Sequence, residues 1–182
     1  MDSNRTDQQS RRRVDDCQVC RRLRLEGPDR RDFHVAPARG GGWHVWSAAL
    51  LRFVERIGHQ PTRAIVISQT LLGERYVQVL VGHGLAHAET GSNVYLTGNS
   101  RLSTDDEALL SMLGWVAPAS GEDPPAELTG NWTLPLIRGD WRYLIEVLLA
   151  TMVGVLGFDS HLPIEVRSFG CSHPCRDCSW PA

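Results

Sequence analysis

The sequence predicts an α+β domain, an antiparallel sheet flanked by helices, with a cysteine-bearing tail at each end. Three observations predict it. Apolar residues recur at helical spacing near both ends of the central region, over 45–57 and 141–156. Between them lie short β-branched or alternating segments separated by glycines. A further helix is marked by its own start and stop signals, Thr104 with Glu107 and then Gly114-Trp115. The order helix, strands, helix, strand, helix suits helices packed on one sheet, because consecutive short strands pair as an antiparallel meander.

Residues 1–32 hold nine Arg and seven acidic residues with few large apolar groups, which predicts a solvated tail. Ala36-Pro37-Ala38-Arg39-Gly40-Gly41-Gly42 predicts a flexible joint. The domain is therefore expected over 43–167, after a charged tail (1–42) carrying a CxxC pair and before a Cys-rich tail (168–182). Val45, Ala49, Leu50, Phe53, Val54 and Ile57 form the apolar stripe of the first helix, and Gly58 stops it. Residues 64–67, Ala-Ile-Val-Ile, predict a strand. In the next strand, 75–81, Val77, Val79 and Val81 share one face, and Tyr76, Gln78 and Leu80 the other. His83-Gly84 turns the chain into a strand over 85–89, and Gly91-Ser92 turns or bulges it before another over 93–96.

Thr104 and Glu107 have capping-box spacing, and Asp105 and Asp106 suit the positive end of the helix dipole. Leu109, Leu110, Met112 and Leu113 are expected on the buried side. Gly114 takes the left-handed stop, Trp115 folds back over the last turn, and Pro118 blocks continuation. Residues 119–130 read as a loop. Residues 131–137 alternate like a strand, and Pro135 assigns it to an edge. Asp140 caps the last helix, whose stripe is Trp141, Leu144, Ile145, Leu148, Leu149, Met152 and Leu156. Gly157 ends it, and 163–166 adds a short strand. There is no internal repeat.

With 182 residues, 42% hydrophobic and 22% charged, the chain can bury one sizeable core. A net charge of −2 gives no global attraction to nucleic acid or to an anionic membrane. Every basic residue is Arg, and the absence of Lys excludes a Walker-type phosphate loop, a Schiff-base lysine and a lysine general base. No apolar segment follows Arg11-Arg12-Arg13, and the longest apolar run, 147–158, is too short to span a bilayer, so a cytoplasmic location is expected.

Chemistry-bearing residues concentrate at the ends. Cys17 and Cys20 form one CxxC pair, and Cys175 and Cys178 another, with Cys171 and His173 beside them. A two-residue gap lets both thiolates of a turn face one ion, and four such ligands complete a tetrahedral zinc site. Structural zinc held by Cys17, Cys20, Cys175 and Cys178, with Cys171 or His173 as substitutes, would staple the two tails. Against it stands the sequence distance between the pairs, and the alternative is free surface thiols or a pair that oxidises adventitiously. A thioredoxin-like role is disfavoured because neither pair opens a helix after a strand.

Elsewhere the signals have simpler explanations. His83 and His87 lie too far apart along a strand to share an ion with Glu89. No Ser occupies a nucleophile elbow. The acidic run 105–107 caps a helix, the Gly triplet 40–42 is a linker, and Arg138-Gly139-Asp140 ends in a cap. No enzymatic activity is expected. The alternative to a binding domain is a zinc-dependent nucleic-acid-binding or regulatory module built on the cysteine tails and nearby Arg. Interspersed acids and the lack of stacking aromatics before Phe33 argue against nucleic acid as the partner.

Arg75-Tyr76-Val77-Gln78-Val79, Ala88-Glu89, Ser92-Asn93-Val94-Tyr95-Leu96, Leu113-Gly114-Trp115 with Pro118, and Asn131-Trp132 before a long helix together resemble the actinobacterial TY-Chap domains. Those are similar to type III secretion chaperones (CesT-like) and to YbjN proteins. The resemblance covers roughly residues 45–160 and reaches neither cysteine tail. It implies a secretion-chaperone-like fold that binds a protein or peptide without catalysis, and pairing as a homo- or heterodimer. The expected peptide-binding residues are Tyr76, Gln78, Glu89, Asn93, Tyr95 and Trp115.

Overall fold

The computed structural model describes residues 30–59, 63–69, 72–118 and 130–169. Its seven strands are β1 (Arg30–Val35), β2 (Arg63–Ser68), β3 (Tyr76–Gly82), β4 (Leu85–Thr90), β5 (Trp132–Thr133), β6 (Ile137–Arg138) and β7 (Ile164–Phe169). They form one antiparallel sheet in the order β1-β7-β2-β3-β4-β5, and β6 also pairs with β4. The helices are α1 (Trp43–Ile57), α2 (Thr104–Met112) and α3 (Trp141–Ala150), the last continued by a π-helical turn over Thr151–Val155. No helix among the described residues is long and apolar enough to cross a membrane.

Strand alternation positions everything else. Ile65 and Ile67 of β2, Val77, Val79 and Val81 of β3, Ala86 and Ala88 of β4, and Ile164 and Val166 of β7 point into a single core. Apart from Ala49, the buried residues of all three helices join that core. The α1 stripe is Trp46, Ala49, Leu50, Phe53, Val54 and Ile57, three or four residues apart as a helix face requires. Val45, expected in that stripe, is exposed, because Trp46 occupies the inward position.

The β3–β4 connection is the two-residue turn His83-Gly84, both with positive φ (52° and 78°). That conformation matches the twist of a hairpin, and it is why the turn holds Gly84. Past the hairpin the sequence reading departs from the structure. Residues 93–96, expected as a strand, form a turn. Ser92 sets it, since its hydroxyl donates to the carbonyl of Gly130 and accepts from Val94 N–H at 3.1 Å. The N–H groups of Tyr95 and Leu96 both donate to the Ser92 carbonyl at 2.9 Å. Side-chain oxygens that satisfy nearby backbone amides compete with a ladder, and here they win.

The α2 capping box exists one residue earlier than its expected place. Ser103 is the N-cap: its Oγ accepts from Asp106 N–H at 3.1 Å, and Asp106 Oδ2 accepts from Ser103 N–H at 2.9 Å. Glu107 is instead engaged by Asn93. At the other end Trp115 N–H donates to Leu110 O, Gly114 N–H donates to Ser111 O, and Gly114 has φ 89°, so the helix ends in a Schellman motif. Of the expected buried side, Leu110 is fully buried and Leu109 and Leu113 partly so, whereas Met112 is exposed.

Two further corrections concern the sheet. The segment 131–137 is not one strand but two short ladders on β4, with Pro135 between them unable to donate. Residues 30–35, expected in the tail, form β1, so the sheet starts ahead of residue 43. Their Arg-rich composition hides a strand that exists because β7 supplies a partner along its whole length. The expected strand at 163–166 is longer, Ile164–Phe169, and sits between β1 and β2.

Polar clamps tie these elements together. Buried Gln69, after β2, donates to the carbonyls of Asp159 and Leu162 and accepts from Asp159 N–H, which fixes the approach to β7. The Arg75 guanidinium donates to the carbonyls of Ser100, Arg101, Val155 and Leu156. It thus neutralises the negative end of the α3 rod and anchors the loop before α2. Asp140 caps α3 as expected, accepting from Tyr143 N–H at 3.1 Å.

Candidate functional site

The second face of the sheet carries the side chains that do not enter the core. One row runs straight across it, because the register places Arg167, Val66, Gln78, Glu89 and Thr133 opposite one another on adjacent strands. A neighbouring row contains Glu165, Ser68 and Tyr76. Another contains Ala64, Leu80 and His87. Most are half-buried, and Leu80 is exposed. The surface thus mixes aliphatic, aromatic and charged groups on a rigid ladder.

Its centre is a hydrogen-bonded group at the β3–β4–β5 end. Asn131 Nδ2 donates to Glu89 Oε2 at 3.1 Å and to Tyr76 Oη at 3.3 Å. Glu89 Oε1 lies 3.2 Å from His87 Nε2. Asn131 Oδ1 is buried and has no hydrogen-bond partner among the described residues. Glu165 and Arg167 form an ion pair at 2.6 Å further along the same face.

Tyr76 is held neutral by its surroundings. Burial pushes its phenol above the ordinary value of 10.0, the Asn131 hydrogen bond opposes that, and the charges of Glu89 and Tyr95 add to it. A pKa raised on folding favours the protonated form, so its contribution is complete below pH 10.0 and is lost as pH rises through the folded value. In a spectrophotometric titration, Tyr76 is expected to ionise above the ordinary value of 10.0. Tyr76→Phe should remove that step and flatten the decline of stability on the alkaline side. A titration curve that Tyr76→Phe leaves unchanged above that value would contradict the assignment.

The TY-Chap3 family model, described as the T3SS (YopN, CesT) and YbjN peptide-binding chaperone 3, matches residues 36–170. The chain belongs to the TY-Chap3 family. The comparisons with curated proteins and with solved structures return no significant match.

The TY-Chap3 match runs from just after β1 to the end of β7 and contains none of the five cysteines. Cys17, Cys20, Cys171, His173, Cys175 and Cys178 all lie outside the described residues. Of the expected binding residues, the TY-Chap3 fold brings Tyr76, Gln78 and Glu89 onto one face. Tyr95 stands at its margin, 58% exposed, with its ring over Gly130 at a distance no Cβ would tolerate.

The other two expected contacts serve the fold. Trp115 is 3% exposed, and its indole N–H donates to Thr151 Oγ1 at 2.9 Å inside the core. Asn93 spends its amide on the approach to α2, donating to Leu102 O and Glu107 Oε1 and accepting from Leu102 N–H. Asn131 and His87 belong to the face and were not among the expected residues. Strand alternation with Glu89 places His87 there, whereas Asn131 reaches it only through the β4–β5 pairing.

Proposed function

We propose that this TY-Chap3 chain is a non-catalytic, chaperone-like module that holds an extended segment of a protein partner against the outward face of its sheet. The observation that carries this reading is the hydrogen-bonded Tyr76–Glu89–Asn131 group, half-buried on that face. A polypeptide offers the N–H groups and apolar side chains that this surface could take. Membership of a family of peptide-binding chaperones supports it.

The mode differs from simple strand addition at Tyr76–Gly82. β3 lies inside the sheet, paired on both sides, so its backbone has no ladder to offer. Contact there must be made by side chains, with Tyr76 and Gln78 as anchors and Glu89 selecting donors or a basic group.

The test uses peptides from proteins that co-purify with the chain at native expression, labelled for fluorescence anisotropy. The double variant Tyr76→Ala/Gln78→Ala is expected to lose tenfold or more in affinity, about 1.4 kcal/mol or more, while its circular dichroism spectrum stays native. Full-strength binding by a folded double variant would remove this face from consideration.

A further inference from the structure

The centre of the outward face is a carboxylate that no fixed cation balances. The Glu89 side chain is 12% exposed. Its Oε2 accepts from Asn131 Nδ2, and its Oε1 faces His87 Nε2, a cation only when protonated. Arg167, the basic residue of the same cross-strand row, is ion-paired with Glu165. Three strand spacings, about 14 Å, separate it from Glu89. A carboxylate offers about four lone-pair sites, so both oxygens of Glu89 keep accepting capacity. Most of the side chain is already out of water in the free chain, so an incoming cation gains attraction with little further desolvation of the carboxylate. Two tyrosines border it. Tyr76 Oη lies 3.3 Å from Asn131 Nδ2. Tyr95 rides on the turn after β4, which Ser92 Oγ pins by donating to Gly130 O. The phenol end of Tyr95 therefore packs against Gly130, the residue before Asn131, and the rest of the side chain stays exposed. Both phenols thus converge on 130–131 beside Glu89.

We propose that Glu89, bordered by Tyr76 and Tyr95, binds an arginine side chain of the extended segment held on the outward face. The inference rests on the peptide-binding reading of that face and adds the chemical class of the residue taken at its centre. A guanidinium is a planar fork that can bridge both oxygens of a carboxylate. It sheds water more readily than an ammonium and stacks on aromatic rings. These properties match a half-buried carboxylate rimmed by phenols, whereas lysine brings only its charge. A neutral donor would leave the charge of Glu89 uncompensated once the segment covers it, which is costly. The carboxylate therefore selects for arginine and against acidic residues at the same place on the segment.

The probe is a phage-displayed library of random peptides selected on the full chain, with the enriched sequences then synthesised carrying a fluorophore. Enriched peptides are expected to share an arginine. Replacing it by citrulline, which keeps the shape and removes the charge, should weaken binding to the native chain roughly tenfold or more. On Glu89→Gln the same replacement should have little effect, because the two changes remove one interaction. Tyr95→Leu, at an exposed position, should keep a native circular dichroism spectrum and weaken the arginine peptide about threefold, with the citrulline peptide unaffected. The citrulline and Tyr95→Leu measurements stand even if Glu89→Gln fails to fold. Enriched peptides without arginine that lose affinity on Tyr76→Ala/Gln78→Ala would overturn the arginine site and leave the outward face as the peptide surface. Lysine replacing the arginine at full strength, or a citrulline loss equal on the native chain and on Glu89→Gln, would also overturn it. A library from which no peptide is enriched would overturn the arginine site and the peptide-binding reading together.

Discussion

Trp115→Ala is expected to destabilise the fold by about 3–5 kcal/mol, as truncation of a buried aromatic does. For a domain of this size that lowers the melting temperature by roughly 6–20 °C. The indole fills the space between the end of α2 and the π-helical turn, where it is 3% exposed and bonded to Thr151. The Thr151 hydroxyl also donates to Val147 O at 2.8 Å, so loss of the indole leaves no orphaned donor there. Packing and the cavity therefore dominate the cost. Trp115→Phe keeps most of the packing and should cost about 1–2 kcal/mol, mainly the lost hydrogen bond. Thermal and urea unfolding of both variants check this. A folded Trp115→Phe chain should bind its peptide unchanged; a large loss of affinity without a loss of stability would make Trp115 a contact after all.

Asn93→Ala is expected to cost about 2–3 kcal/mol. It deletes bonds to Leu102 O, Leu102 N–H and Glu107, and it leaves the amide of a buried residue unpaired, which is the expensive part. Asn93→Asp preserves the acceptor for Leu102 N–H but sets a carboxylate against Glu107, whose Oε1 lies 3.0 Å from Asn93 Nδ2. Like charges at that range repel, so adding Glu107→Gln should recover part of the loss. A double-mutant cycle read by urea unfolding measures the coupling. Independent, additive effects would show that the two side chains do not interact.

Both positions were expected to meet a partner, and both hold the domain together. Loop polar residues and a tryptophan after a helix look alike in sequence whether they face solvent or the core. Only the packing of the α2 end against the π-helical turn separates the two cases. The same limit applies to 93–96. Its Val-Tyr-Leu composition suits a strand, yet Ser92 and Asn93 satisfy the local backbone by themselves. Tyr76 and Gln78 were legible as one face of β3 because period-two alternation separates an inward from an outward face without reference to neighbouring strands; Glu89 joins them only through the β3–β4 register. Asn131 was not, because its place depends on which strand β5 joins.

Local signals in the sequence determine most of the elements: helix periodicity for α1 and α3, the β3–β4 turn, the α2 stop, the Asp140 cap and the α+β class. Each depends on residues within a few positions of one another, where side-chain spacing and backbone φ preferences act directly. The tertiary structure alone decides the strand order, the existence of β1, the two-part ladder on β4 and the insertion of β7 between β1 and β2. Those are pairings between segments distant in the chain, selected by which ladders satisfy the most backbone groups while burying one apolar face. One consequence for the outward face follows from them: Asn131 meets Glu89 and Tyr76.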